Sequence, residues 1–173
     1  MDQVLGRPLG VKILSPLHIM TGVLLLFILV ISQLMGKGDK TIPVGFTTQV
    51  TISVIVIGIL SVGSGIGMWL RARWGWKLGT AYHIYAICRY VNALTLYPQL
   101  LGGQNIPQQT MAMLYAKVLS RILISSLILG YFFKQNVLSY FGLHESKQKV
   151  IEFLFWEICS IVGLSFLVSL FLQ

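Results

Sequence analysis

The chain has 173 residues, of which 55% are hydrophobic and only 10% are charged. Soluble domains carry roughly a quarter of charged residues, and a compact soluble fold could not bury this much apolar surface. The net charge of +8 would suggest nucleic acid as the partner of a soluble protein. Here most basic residues lie in short loops between apolar runs, a pattern typical of membrane proteins. We therefore expect the lipid bilayer as the solvent and no binding of nucleic acid.

Five stretches of the chain are long and apolar enough to cross a bilayer, which takes about 20 residues. Each is expected to form one helix, and together they cover approximately residues 15–35, 47–70, 77–97, 111–133 and 150–172. Ser15 is expected to cap the first helix with Pro16 in its first turn, and Pro98 is expected to end the third. The predicted fold class is all-α: an integral membrane bundle of five transmembrane helices, with residues 1–173 as a single polytopic domain.

The Lys and Arg residues are divided unevenly between the two ends of these helices. If all five helices cross, one side of the membrane receives the larger group: Arg7, Lys12, Arg71, Arg73, Lys77, Lys134, Lys147 and Lys149. The other side receives only Lys37 and Lys40. Basic loops remain in the cytoplasm, so we predict a cytoplasmic N-terminus and a C-terminus outside. No transit peptide is recognised, and the bacterial inner (plasma) membrane is the expected location.

The turn between the second and third helices, WLRARWGWK, is rich in tryptophan and basic residues. Its aromatic and cationic members alternate along the chain: Trp69, Arg71, Arg73, Trp74, Trp76 and Lys77. Indole rings favour the membrane interface, where cations also meet anionic headgroups. The pattern predicts an interfacial anchor that holds a tight turn. The alternative is a site for an anionic lipid or for a partner protein.

Small residues recur at a spacing of four in the second helix. Gly63 is four residues from Gly67, and Ser61 is four residues from Gly65. This spacing lets helices approach each other closely in lipid. The approaching helix is expected to belong to the same bundle, and a helix of another copy or of a partner is the alternative.

The third helix has a polar side. At 100° per residue, four of its polar residues fall within a sector of roughly 80°: Tyr82, Tyr85, Arg89 and Asn92. His83 and Tyr90 share the adjacent sector. A cation at the centre of a bilayer costs at least ~2.5–3.5 kcal/mol. This side is therefore expected to face other helices or water.

The fourth and fifth helices add further charges. Lys117 and Arg121 are four residues apart and share one face of the fourth helix. At 1.5 Å per residue, Arg89 and Arg121 both lie about 18–20 Å from the cytoplasmic ends of their helices, and Glu157 lies about 10 Å deep. Glu157 is the one carboxylate predicted well inside a span, and a single glutamate cannot neutralise three cations.

Three interpretations of this intramembrane polar cluster stay open. Lys117 and Arg121 could extend to the outer headgroups, while Glu157, tyrosines and carbonyls satisfy Arg89. The excess cations could instead pair with an acidic group of a partner protein or of a bound lipid. The third interpretation is a polar cavity that binds or passes an anion.

Signals for catalysis or for a cofactor are weak. Cys88 and Cys159 have no zinc or disulfide spacing, and no catalytic motif occurs. His18 and His83 could offer axial ligands to haem, but no second signal supports a cofactor. No catalytic residue, metal site or cofactor is predicted. Residues 134–149 are expected to lie at the headgroup level, with an ordinary hydrated loop as the alternative.

These observations favour a non-catalytic function. The expected function is that of an accessory, assembly or scaffold subunit that packs with other membrane proteins. The main alternative is a small transporter or channel-like protein with a cationic path between helices three, four and five. A lipid-binding module that uses the Trp/Arg turn is a third possibility.

Overall fold

The structure, a computed structural model, describes residues 6–35, 44–101 and 108–143 and seven residues between 152 and 160. Its helices are α1 (Leu9–Met35), α2 (Val44–Trp69), α3 (Arg73–Leu101), α4 (Gln108–Phe132) and α5 (Gln135–Tyr140). The seven separate residues are also helical, and no strand occurs in the described part of the chain. The all-α class is confirmed at this level. The predicted fifth membrane helix lies mostly outside the described residues.

Three of the helices in the described part of the chain, α1, α2 and α4, are long and apolar enough to cross a membrane. Their apolar stretches are Leu9–Leu34, Thr51–Trp69 and Gln108–Phe132. Most side chains of α1 and α4 lie on the surface of the protein, so this surface is itself apolar. Such a surface is suited to lipid and not to water. α3 is 29 residues long but more polar, and it is not among these three.

Two helix ends differ from the prediction. α1 begins at Leu9, so Ser15 does not cap it and Pro16 lies inside the helix. Ser15 is fully buried, and its hydroxyl donates a hydrogen bond to the carbonyl oxygen of Gly65 at 2.8 Å. It therefore joins two helices instead of starting one. α3 begins at Arg73 and continues past Pro98 to Leu101, so the proline does not end it.

α1 and α2 form a close antiparallel pair. The Ser61 hydroxyl donates to the carbonyl oxygen of His18 at 2.7 Å, one turn away from the bond between Ser15 and Gly65. Gly22 continues the contact, since a Cβ atom there would lie 2.7 Å from the carbonyl oxygen of Gly58. Small residues thus bring the two backbones together along successive turns.

α3 runs antiparallel to α2 and to α4. A tight turn joins α2 to α3, and a Cβ atom on Gly67 would overlap the backbone of Gly75. Near the start of α3, Trp76 Nε1 donates to the carbonyl oxygen of Phe132 at the end of α4 (3.0 Å). Farther along, the Arg121 guanidinium of α4 lies over the ring of Tyr90, 5.6 Å from its centroid. The two helices therefore lie side by side for several turns.

The main core lies at one end of the helices, where α1 and α3 begin and α2 and α4 end. We call this region the packed end, and its buried apolar residues are Val11, Met68, Trp76, Phe132, Val137, Leu138, Tyr140, Phe141 and Leu143. Residues 134–149 were expected at the headgroup level, with a hydrated loop as the alternative, and residues 144–149 lie outside the described part of the chain. In residues 135–143 the apolar side chains are buried against the other helices, so this part is not an ordinary hydrated loop. Gly142 follows α5 with a φ of 68°, a conformation that glycine adopts without steric cost.

Candidate functional site

The four small residues of α2 contact two different helices of this chain. A Cβ atom on Gly65 would lie 2.6 Å from Ile19 of α1, and Ser61 bonds to α1 as described above. Gly63 and Gly67 instead approach α3, where a Cβ on Gly63 would lie 2.9 Å from Leu78. All four small residues are therefore used in packing within the bundle. The sequence analysis missed Gly22, whose partner on the other helix cannot be read from one helix alone.

The three tryptophans of the α2–α3 turn have different surroundings. Trp76 is only 2% exposed and belongs to the core, whereas Trp69 and Trp74 are 54% and 44% exposed. The buried indole is satisfied by its hydrogen bond to Phe132, as a buried N–H requires. Trp76 thus packs inside the protein and does not serve as a lipid-facing anchor. Trp69 and Trp74 keep the exposure that an interfacial anchor needs.

Cations at the packed end lie over aromatic rings. The Arg7 guanidinium is 4.9 Å from the ring centroid of Trp69, and that of Arg71 is 5.1 Å from Tyr140. The ammonium groups form the same kind of contact, Lys77 over Phe153 at 5.1 Å and Lys134 over Tyr131 at 5.9 Å. Such contacts contribute about 0.5–1 kcal/mol each at exposed sites. They hold the charged groups in defined places at the rim of the bundle.

Tyr140 links two of these arginines. Arg7 Nε donates to its hydroxyl at 3.2 Å, and Arg71 Nε donates to its carbonyl oxygen at 2.7 Å. Arg7 also donates to the carbonyl oxygen of Trp69 at 2.9 Å. Arg71 has a positive φ of 56°, an unfavourable conformation for a residue with a side chain. All these acceptors are neutral, so none of them offsets the positive charge of the two guanidinium groups. From the sequence, Arg7 was predicted only as one of the basic residues on the cytoplasmic side, and Tyr140 was not predicted to have a role.

His18 and His83 meet between α1 and α3. Their ring centroids are 5.2 Å apart, and the ring of Tyr82 lies 4.8 Å from His18 and 5.0 Å from His83. Both histidines are buried, and neither Nδ1 atom has a hydrogen-bond partner among the described residues. The rings are in direct contact, which leaves no room for a porphyrin between them. No group of three or more metal-ligating side chains occurs in the part of the chain that the structure describes.

The predicted polar side of α3 is divided between two environments. Tyr82 packs against His18 of α1, whereas Arg89 and Tyr85 are half-buried and Asn92 is exposed. Contacts with α4 are made by His83, whose ring centroid lies 5.8 Å from that of Phe132, and by Tyr90, and both belong to the adjacent sector. α3 therefore turns the start of its polar side toward the bundle and leaves the later part nearer the surface.

The cations of α4 are exposed. Lys117 and Arg121 lie about 10 and 14 residues from the start of a helix that is about 37 Å long, which places Arg121 near its middle. The ring of Tyr90 supports Arg121, and no ion pair to either residue occurs among the described residues. Glu152 is the acidic residue within that part of the chain. Glu157, the predicted partner of Arg89, lies outside the described residues.

The structure thus has two separate groups of basic residues. The first surrounds the packed end and comprises Arg7, Lys12, Arg71, Arg73, Lys77 and Lys134. The second, which we call the mid-helix cations, comprises Arg89, Lys117 and Arg121. Comparisons with models of protein families, with curated proteins and with solved structures found no match to this chain.

Proposed function

We propose that this chain crosses the bacterial inner membrane five times, with its N-terminus in the cytoplasm and its C-terminus outside. The contact between Arg7 and Trp69 brings the start of α1 to the end of α2, as a helical hairpin requires. α3 lies beside α4 from Trp76 to Tyr90, which supports a crossing of α3 together with its neighbour. The basic residues of the packed end then lie on one side, which the positive-inside rule makes cytoplasmic.

We further propose that the protein is a non-catalytic accessory or assembly subunit that pairs with another membrane protein through α4. The observation that supports this function most directly is the exposure of Lys117 and Arg121 in an apolar helix. An unpaired cation near the bilayer centre costs at least ~2.5–3.5 kcal/mol. A carboxylate on a helix of a partner would remove this cost. The partner is therefore a transmembrane protein with an acidic residue at the same depth.

The first test is purification of the full chain from native membranes in mild detergent, with mass spectrometry of the bound proteins. Arg121→Gln is expected to release a stoichiometric partner, while Arg121→Lys, which keeps the charge, retains it. Ser120→Ala is the matched control on the same helix, because Ser120 is exposed and its hydroxyl bonds only to the helix backbone. Removal of the acidic side chain from the partner is expected to release the partner as well.

Glu157 provides the decisive contrast. If Glu157 were the counter-charge of Arg121, Glu157→Gln would lower the stability of the isolated chain as much as Arg121→Gln does. We expect that neither substitution lowers the stability of the isolated chain. We expect that only Arg121→Gln dissociates the complex with the partner. A partner that stays bound to both the Arg121→Gln and the Lys117→Gln variants would refute pairing through the cations of α4, and the absence of any stoichiometric partner would refute the subunit function.

Arg89 favours a second candidate, the small transporter or channel-like protein. Its side chain is half-buried on α3, nearer the interior than Lys117 or Arg121. A cation in this position could line a path for an anion between α3, α4 and the following helix. Anion flux into liposomes that contain the purified chain, abolished by Arg89→Gln and retained by Arg89→Lys, would support transport. Absence of flux with the wild-type chain would exclude it.

A further inference from the structure

A shallow apolar groove lies beside the arginines of the packed end. Its volume is about 320 Å³, and it is lined by Ile19 of α1 and by Ile66, Trp69 and Leu70 of α2. The groove lies on the surface of the two apolar helices, where an acyl chain would be its neighbour in a membrane. Trp69 belongs to both features, because its ring lines the groove and also lies under the Arg7 guanidinium.

The direction of the groove fits a lipid molecule. Arg7 precedes the first residue of α1, and Ile19 lies about 15 Å along that helix at 1.5 Å per residue. An acyl chain in the groove would therefore extend from the rim of the bundle toward the centre of the membrane. Its headgroup would lie at Arg7, at the depth where a phosphate is found.

The two arginines are suited to a phosphate. Arg7 and Arg71 are positioned by the hydrogen bonds to Tyr140 and by their stacking on aromatic rings, so little side-chain freedom would be lost on binding. Guanidinium groups that are held in place recognise phosphate oxygens with strong, directional hydrogen bonds. Arg71 keeps this position in spite of its positive φ, and strained residues of this kind often serve binding sites.

We propose that Arg7 and Arg71 bind the phosphate of one anionic phospholipid, with an acyl chain of that lipid in the groove formed by Ile19, Ile66, Trp69 and Leu70. A glycerophospholipid with net negative charge is preferred over a zwitterionic one. The positive charges of Arg7 and Arg71 are not neutralised by a carboxylate within the described residues, and a choline headgroup would bring a further positive charge to them. The lipid site lies at the packed end and is separate from the partner surface of α4.

The test uses the full chain in an uncharged detergent and phosphatidylglycerol with brominated acyl chains, which quench tryptophan fluorescence on contact. Titration is expected to show saturable quenching, with at least tenfold weaker binding of brominated phosphatidylcholine. Trp69→Phe is expected to remove most of the quenched signal. Equal binding of the two lipids, or quenching that does not saturate, would overturn the proposal.

Substitutions locate the headgroup. Arg7→Gln and Arg71→Gln are each expected to weaken the binding of phosphatidylglycerol roughly tenfold, the typical effect of one charge-assisted hydrogen bond. Lys12→Gln is the matched control, because Lys12 is an exposed cation at the same end and no described ring lies under it, and less than a twofold change is expected. Equal effects of all three substitutions would show a general surface charge and would overturn the site.

Two further measurements complete the test. The first distinguishes a lipid from a soluble phosphate compound, and the second tests the groove independently of the arginine variants. Glycerol phosphate is expected to compete only weakly, and full competition by it would identify a soluble phosphate compound as the ligand. Ile66→Phe enlarges a side chain that lines the groove and leaves both arginines in the chain. It is expected to weaken binding of the long-chain lipid, and unchanged binding would refute the groove even if the arginine variants fail to fold.

Discussion

The packed end and the middle of α4 both carry basic residues, but the surroundings of these residues differ. At the packed end, Arg7 and Arg71 are held by aromatic rings and by hydrogen bonds to neutral oxygens. In the middle of α4, Arg121 lies over a single ring and Lys117 is exposed. Arg7 and Arg71 are therefore fixed by contacts within the protein, and their charges lie at the rim of the bundle. If α4 crosses the membrane, Lys117 and Arg121 need a counter-charge, an aromatic ring or a side chain that reaches water to stabilise them.

The role of a basic residue in a membrane protein therefore depends on its depth and its contacts, and not on its presence alone. A cation at the rim of a bundle can contact water and headgroups at little cost. A cation near the middle of a helix loses that solvation. Stability measurements should therefore respond strongly to changes at the packed end and weakly to changes of the mid-helix cations.

The largest effect is expected from Gly75→Val at the contact between α2 and α3. Any side chain at this position overlaps the backbone of Gly67 and forces the turn apart. We expect a loss of about 3 kcal/mol in the free energy of unfolding, at the upper end of the usual cost of overpacking. Denaturant unfolding of the purified chain measures it. Gly130→Ala is the matched control, since a Cβ atom there contacts nothing within 4 Å, and a stability unchanged by Gly75→Val would contradict the close approach.

A smaller effect is expected from Trp76→Phe, which retains a ring but removes the buried N–H group. The carbonyl oxygen of Phe132 then loses its partner in the core, at a cost of about 2 kcal/mol. Trp74→Phe changes an exposed indole and is expected to alter the unfolding free energy by less than about 0.5 kcal/mol. Equal effects in thermal or denaturant unfolding would mean that Trp76 is not part of the core.

Next in size is Ser61→Ala at the contact between α1 and α2. The substitution removes the hydrogen bond to the carbonyl oxygen of His18 while the small volume is kept. Hydrogen bonds between membrane helices contribute about 0.6 kcal/mol on average, and we expect a loss of that order. Ser120→Ala on the exposed face of α4 should leave unfolding unchanged. A loss above about 2 kcal/mol would reveal a larger polar network around Ser61.

The smallest effect on stability is expected from Arg121→Gln in the purified chain without its partner. Among the described residues Arg121 contacts the ring of Tyr90, and loss of this contact is expected to change the free energy of unfolding by about 0.5 kcal/mol or less. Arg71→Gln should cost more, because it removes both a ring contact and a hydrogen bond of 2.7 Å. If Arg121→Gln proved the more destabilising of the two, the chain itself would supply its counter-charge.

Much of the architecture could be predicted from local sequence. The lengths of the apolar runs predicted α1, α2 and α4 to within a few residues, apart from the start of α1. There the Ser15–Pro16 pair is typical of a helix start, whereas the structure uses Ser15 in a contact between helices. A local sequence pattern indicates which residues can begin a helix. It contains no information about the carbonyl oxygen of Gly65, 50 positions away, to which the Ser15 hydroxyl donates in the folded chain.

The candidate sites could be predicted only in part. The spacing of residues along the chain identified the small residues of α2 and the basic residues of the α2–α3 turn. It did not identify the residues that they contact. Arg7 reaches Trp69 across 62 positions and Tyr140 across 133, and no periodicity within one helix encodes such contacts. The same limit applies to Trp76, which has the sequence surroundings of an interfacial residue and the burial of a core residue.

Three properties could be predicted from the sequence alone: the helical class, the apolar surface, and the unequal distribution of basic residues along the chain. These properties follow from composition and from short-range order, because a helix satisfies its backbone hydrogen bonds internally and its apolar side chains require lipid or protein around them. Other properties depend on the tertiary structure: the helix that each glycine contacts, the burial of Trp76, and the stacking of Arg7 and Arg71 on aromatic rings. Those outcomes depend on the approach of helices distant in the chain, where packing at the packed end brings α5 against the starts of α1 and α3.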